Sequence, residues 1–438
     1  MASNDIEYLT KTYPEYIEQV RKNYWFNFFV ISLDSAFFTF SMAMLSQDTI
    51  LPYFLSQLTS SAILIGLIPA LFFLGQYFPQ LIGAYLVSGK KRKKNFILCA
   101  AIAERIGILL IALTAQFMGL LSNQVTILLF FISYALFTST LGLMMPAYSD
   151  FISKAIMKNR GLFYGVMVGL GGGIGFIAST IASKLIDSLN FPVNFQTIFW
   201  LGFGFSFISP FLIAMFKEVD LPVVDAKEKF STFVKSIPVK VASHPLYKRF
   251  LIIRGLVGLG MMGNSFFSIY AITQYDLRSG TIGIFTMFIL IAQSLMGFIW
   301  GWLGDRFGYK KVLQGMMLFL ILEGILALIN PGLWAFYLIA ALVGGVYAGA
   351  TVCDPNIIFE MAPPSETSRY IGITNTLLGP IFSLAPIIGG LLVDLFTHTT
   401  LFATIATLEI ATFIIAAFWF PEPREHLVHK PFYQQVQK

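Results

Sequence analysis

Residues 301–311 read Gly301-Trp302-Leu303-Gly304-Asp305-Arg306-Phe307-Gly308-Tyr309-Lys310-Lys311. The stretch lies between two long apolar runs, 280–302 and 312–330, and concentrates glycines, one acid and three basic residues in a few positions. A helix crosses the hydrocarbon core of a bilayer with about 20 apolar residues, so each flanking run is long enough to span. The polar stretch then reads as a tight turn at a membrane face. Glycine permits such a turn and lets helices approach closely. The acid suits a neighbouring helix N-terminus, and the positive side chains suit nearby carboxylates.

Outward from this turn the same pattern repeats. Apolar runs bounded by charges, Gly, Pro or Asn fall near 25–46, 61–82, 95–117, 124–146, 162–183 and 195–216. A second series falls near 250–273, 280–302, 312–330, 332–354, 370–394 and 399–420. These are numbered spans 1 to 12. Asn330-Pro331-Gly332 joins spans 9 and 10 as a tight extracellular hairpin. Of 438 residues, 56% are hydrophobic and only 12% charged, where soluble domains carry about a quarter charged residues. The expectation is an all-α integral membrane protein.

The basic residues set the orientation. With both tails inside, cytoplasmic segments hold all but four of the 29 Lys and Arg. Those four are Lys184 and Arg278 in extracellular loops, and Arg105 and Arg254 within spans. Basic residues gather on the cytoplasmic side of membrane proteins. The expected organisation is a cytoplasmic tail (1–24), a six-helix bundle (25–216), a cytoplasmic linker (217–249), a second six-helix bundle (250–420) and a cytoplasmic tail (421–438). Residues 1–24 are polar, so no cleavable leader is expected.

The two halves echo each other. A shift of 217 places Gly66 on Gly283, Lys93-Lys94 on Lys310-Lys311, and Gly107-Ile108-Leu109 on Gly324-Ile325-Leu326. A shift of 209 places Pro146 on Pro355 and Arg160 on Arg369. Two pseudo-symmetric bundles are expected, an arrangement used by secondary transporters that rock about a central site.

The stretch 301–311 resembles motif A of the major facilitator superfamily, G-x-L-a-D-r-x-G-r-k, with Tyr309 standing where a basic residue is usual. The resemblance implies the twelve-helix fold of that family. It also implies a cytoplasmic latch built from Gly301, Gly304, Asp305, Arg306, Gly308 and Lys310. The corresponding first-half loop, from Gly83 to Lys90, has Val87 where the acid would fall. Asp150 with Arg160, and Glu360 with Arg369, are similar to the family's acid-then-Arg segments after spans 4 and 10, and are expected as further gate charges. Gly161, Gly165, Gly169 and Gly173 repeat every fourth residue through span 5, spacing that lines one helix face for close packing. The family's proton-drug antiporters carry G-P-x-x-G-G in span 5. Span 5 here has no proline, and the nearest match, Ala385-Pro386-Ile387-Ile388-Gly389-Gly390, lies in span 11.

Charge inside a bilayer is costly, about 2.5–3.5 kcal/mol at mid-depth on insertion scales, and such residues usually face protein or water. Asp34 sits near the middle of span 1, which the resemblance places on the cavity wall. It is the leading proton or substrate candidate, with Glu104 and Arg105 of span 3. Successive helical residues point about 100° apart, so Glu104 and Arg105 are not expected to form a simple local pair, and Arg105 is expected to turn toward Asp34. Glu323 and Glu409 in spans 9 and 12 read as structural or lateral-surface features. Gln76, Gln80, Asn264, Gln293 and Asn375 are polar cavity candidates.

Other classes are disfavoured. Cys99 and Cys353 stand far apart, no histidine lies in a span, and no GxxxxGK[ST] loop occurs. No enzyme, cofactor or metal site is therefore expected. The net charge of +6 follows membrane topology rather than nucleic-acid binding. The expected function is secondary active transport of a small organic solute by rocker-switch alternating access. Protons are the expected coupling ion, and export of amphiphilic or drug-like compounds is favoured. Proton-coupled uptake of a sugar or other metabolite is the alternative, and a non-transporting receptor or scaffold of the same fold is the alternative from another class. A monomer in the plasma membrane is expected.

Overall fold

A computed structural model describes residues 13–87, 90, 92–156, 160–220, 231, 237–238, 241–361 and 367–423. Among them the secondary structure is helical: α1 (Pro14–Met44), α2 (Ile50–Ser56), α3 (Ala62–Val87), α4 (Lys94–Phe117), α5 (Asn123–Ala155), α6 (Arg160–Ser188) and α7 (Val193–Met215), followed by α8 (Pro245–Gly260), α9 (Asn264–Gln274), α10 (Thr281–Phe307), α11 (Tyr309–Ile329), α12 (Leu333–Met361), α13 (Thr367–Leu395) and α14 (His398–Trp419). Twelve segments are long and apolar enough to cross a membrane, with α8 and α9 forming one of them across a 3-10 turn at Met261–Gly263. Large apolar side chains are left outside, Phe418 being 91% exposed. Such a surface suits lipid, where only structures with internally satisfied backbones can span.

Local chemistry marks the helix ends. Ser122 and Thr397 accept from the amides of Val125 and Thr400 as N-caps of α5 and α14, each satisfying a donor that the helix leaves free. Asn330 closes α11 in the left-handed conformation at φ 49°, which an Asn tolerates. Gly308, at φ 90°, separates α10 from α11.

Several helices outrun their apolar stretches. The first starts at Pro14, and its initial turns bury Tyr16, Ile17 and Val20. α5 continues through Pro146 and α12 through Pro355, because neighbouring helices can satisfy the backbone groups a proline frees.

The chain divides by packing into two compact units, Met1–Phe230 with Ile272–Met287, and Ser231–Ala271 with Phe288–Lys438. In unit 1, α5 packs on α3 and α4, and α1 packs on α6 and α7. Gly142 makes one of these contacts possible: a Cβ there would lie 2.2 Å from the Gly75 carbonyl oxygen. The 272–287 segment is fastened to its unit by three hydrogen bonds. The Gly280 amide donates to Asp187 Oδ1 at 2.7 Å, Tyr53 donates to Ser279 Oγ at 2.7 Å, and the Thr49 and Thr286 hydroxyls meet at 2.5 Å. In unit 2, α11 packs on α12 and α14, and α8 packs on α13 and α14.

The span 5 glycines are not where unit 1 closes up. A Cβ at Gly169 or Gly173 meets nothing in unit 1, so neither mediates a close approach within that unit. Periodicity puts glycines on one face but does not supply the neighbour, and the backbone contacts in unit 1 instead use Gly75, Gly83, Gly107 and Gly142. The surroundings of Gly161 and Gly165 lie outside the described residues.

Candidate functional site

Four helices of unit 1 bring polar groups to one buried point. Asp34 comes from α1, Glu104 and Arg105 from α4, Tyr148 from α5, and Ser206 and Ser209 from α7. Asp34 is 3% exposed, Glu104 0% and Arg105 4%. Tyr148 donates to Asp34 Oδ2 at 2.8 Å, and the Ser209 hydroxyl donates to Oδ1. Arg105 Nη2 donates to Ser209 Oγ at 2.7 Å, and its Nε donates to the Ser206 carbonyl at 3.1 Å. Its guanidinium also lies 5.5 Å from the ring centroid of Phe38, within cation–π range.

Arg105 Nη1 donates to Glu104 Oε2, and the two form an ion pair. This corrects the expectation that neighbouring residues would not pair locally. Side chains that leave the helix about 100° apart can still bend together, since both are long. Arg105 and Asp34 are joined through Ser209 rather than by a direct hydrogen bond. Two carboxyls share one guanidinium here, so the cluster is electroneutral when it holds one proton. Its hydroxyls provide a hydrogen-bonded path between the charges.

The amide candidates divide between the two units. Gln76 and Gln80 are half-buried on α3, Gln293 on α10 and Asn375 on α13. Asn264 donates to the Tyr347 hydroxyl at 3.1 Å in unit 2. A separate open cavity of about 450 Å³ in unit 1 is lined by Tyr53, Gln57, Asp187, Asn190, Phe191 and Arg278 among others, and shares no residue with the Asp34 cluster.

Where α4 begins and α5 ends, Asp150 Oδ2 accepts from Lys93 at 2.5 Å and also from Lys154. Burial pushes the Lys154 amine below the usual lysine range, with Asp150 opposing the shift. The expected partner of Asp150, Arg160, has a side chain outside the described residues, as does Arg369, the partner expected for half-buried Glu360. The acid missing from the first-half loop is supplied from further along the chain. Glu218 accepts from the amides of Lys93 at 2.8 Å and Lys94 at 2.9 Å, at the start of α4, and Arg92 pairs with Asp220.

Unit 2 has a counterpart. Glu422 lies two residues past buried Phe420, as Glu218 lies two past buried Phe216. Its carboxylate covers Gly308, where a Cβ would lie 2.3 Å from it, directly before α11. Tyr309 is buried rather than projecting as a basic residue would, and donates to Asp305 Oδ1 at 2.7 Å. Gly304 makes room for its ring, a Cβ there falling 2.3 Å away. Arg306 stacks over Trp302 and Phe307, and Lys310 donates to the Ala417 carbonyl at 3.3 Å. Gly301 faces open space.

Sequence reasoning missed Asp354, whose two carboxylate oxygens accept from Arg254 Nε at 2.8 and 3.0 Å. Its place beside Pro355, at the boundary of an apolar run, was the available signal. It also took Glu323 and Glu409 for structural or lateral features. Both are 0% exposed, which removes the lateral reading.

The family model of the Major Facilitator Superfamily matches residues 25–279 and 250–437. Among curated proteins, the chain is 29% identical over 140 residues to the class B tetracycline resistance protein of Escherichia coli, a match covering 31% of this chain and 34% of that protein. It is 25% identical over 126 residues to a multidrug resistance protein B homolog of Mycobacterium tuberculosis, covering 28% and 23%. These matches span about a third or less of the relatives' own length. Solved structures agree in fold. The nucleoside transporter NupG superposes with TM-score 0.67 at 16% identity, over 89% of this chain and 98% of that one. A D-xylose-proton symporter gives 0.68 at 13%, over 92% and 99%.

Proposed function

The chain belongs to the major facilitator superfamily, and on that premise we propose that it is a proton-coupled secondary transporter that exports small amphiphilic or drug-like compounds by rocker-switch alternating access. The observation that carries the proposal is the buried set of Asp34, Glu104 and Arg105, with one guanidinium between two carboxyls. Such a set is uncharged with one proton and anionic without it. Proton binding biases two conformations only if their proton affinities differ. Asp34 supplies the difference if its contacts to Tyr148 on α5 and Ser209 on α7 change as the helices move.

The direction of transport rests on the sparse charge within the spans and on similarity to proteins named for tetracycline and multidrug resistance. In this proposal residues 25–216 and 250–420 form the two rocking bundles and 217–249 the linker between them. Both termini are cytoplasmic, the membrane is the plasma membrane, and the protein works as a monomer. The Asp150, Glu218, Asp305 and Glu422 groups hold the inner gate.

Screening a solute library by thermal shift on purified protein identifies compounds that bind the folded state, which raise its apparent stability. Proteoliposomes with an imposed pH gradient then test coupling. Solute movement against its own gradient, opposite in direction to the proton, supports export by exchange. Movement in the same direction as the proton replaces export with uptake, and absence of flux from folded protein replaces transport with a receptor or scaffold role.

A further inference from the structure

Glu409 of α14 lies far along the chain from the Asp34 cluster and belongs to unit 2. It is 0% exposed, and neither of its carboxyl oxygens accepts a hydrogen bond among the described residues. Its seat is specific. A Cβ at Gly260 would fall 2.1 Å from Glu409 Oε1, and a Cβ at Gly263, 2.5 Å from Ile405 Cδ1. One face of α14, carrying Ile405 and Glu409 one turn apart, therefore rests on the point where the seventh span changes from α-helix to the 3-10 turn Met261–Gly263. Only residues without side chains leave room for it there.

Among the described residues, the surroundings hold one nearby cation. Arg254 of α8 acts on Glu409 electrostatically, but its Nε is directed at both oxygens of Asp354. From α11 comes buried Glu323, an acid. The Met261–Gly263 turn brings no charge. Asp394 is at the far end of α13, while Arg249 and Lys310 bind the Trp419 and Ala417 carbonyls at the other end of α14. An ionised carboxylate left without hydrogen bonds in such a place is strongly disfavoured. A neutral acid avoids that cost.

Extending the proton-coupled reading above, we propose that Glu409 is a second proton-carrying group, whose protonation state sets the geometry of the interrupted seventh span. With the proton bound, the neutral carboxyl fits over Gly260 and Arg254 stays with Asp354. On release the O–H bond breaks, the proton passes to water, and the electron pair stays on the carboxylate. That carboxylate then competes with Asp354 for Arg254 and withdraws from its seat over Gly260. Proton release is thereby tied to a shift of α8 against α14.

The full chain in lipid nanodiscs, followed by pH-jump infrared difference spectroscopy, tests this. A carboxylic-acid carbonyl band is expected at neutral pH in the wild type and in a variant combining D34N with E104Q. It is expected to vanish when E409Q is added to that D34N, E104Q variant and to shift position when E409D is added instead, which also covers the case where E409Q fails to fold. In proteoliposomes, E409Q is expected to move one proton fewer per solute than the wild type. A band unchanged by adding E409Q or E409D, or an unchanged stoichiometry, overturns the proposal. A wild type that moves its solute without protons overturns the proton-driven reading instead, and the band still decides whether Glu409 carries a proton.

Discussion

Replacing Arg105 with leucine removes the only cation that the described contacts give to the Asp34 cluster. The side chain is 4% exposed and contacts Glu104, Ser209, the Ser206 carbonyl and the face of Phe38. Removing one partner of a buried ion pair costs about 3–5 kcal/mol, chiefly because the other charge is left uncompensated. Replacing both partners by apolar residues is often neutral or better. Part of the cost of losing Arg105 is the charged donor that the serine groups lose, about 1.5–3 kcal/mol. Arg105→Leu should therefore destabilise by about 3–5 kcal/mol. The combined Glu104→Leu, Arg105→Leu variant should be milder by about 2 kcal/mol, since Asp34 retains Tyr148 and Ser209 as donors. Melting of the purified proteins, at a few degrees per kcal/mol, separates the variants. A double variant as unstable as the single, or more so, would refute the view that Arg105 compensates Glu104.

The starts of α4 and α11 yield three more predictions. Gly308→Ala forces a side chain into a φ of 90° and onto the Glu422 carboxylate, and should cost at least about 1–3 kcal/mol, measured as a lowered melting temperature. Glu218→Ala leaves the amides of Lys93 and Lys94 without their acceptor. That should cost about 0.5–2 kcal/mol, as for other N-caps, with faster amide hydrogen exchange confined to the start of α4; exchange unchanged there would count against capping. Tyr309→Phe loses the hydrogen bond to Asp305 and about 1 kcal/mol, whereas Tyr309→Arg must bury a cation and should be worse in the same melting assay.

Long apolar runs made the membrane-spanning helices legible, because a bilayer leaves the backbone few other ways to satisfy its polar groups. Helix ends were less so: an apolar run marks where lipid begins, and Pro14–Tyr24 and the turns after Pro146 and Pro355 continue the helices beyond that point. Asp34, Glu104 and Arg105 stood out as charges where charge is costly. Tyr148 and Ser209, which hold Asp34, carry no such signal, since a hydroxyl in a span is ordinary until a partner is placed opposite it. Glu218 and Glu422 were hidden differently. Each follows the last residue of a bundle, and only folding returns it to the beginning of the third helix of its own half. The partner of the Gly169 and Gly173 face is not legible for the same reason, because spacing within a helix does not specify what packs against it.

The most direct test of proton coupling at the Asp34 cluster compares the wild type with Asp34→Asn in proteoliposomes, using a solute found by thermal shift. Asn keeps the shape and can still meet Tyr148 and Ser209, but cannot carry the proton. The account predicts that Asp34→Asn retains solute exchange at equal pH and loses accumulation driven by a pH gradient. Full gradient-driven accumulation by the folded variant would contradict it.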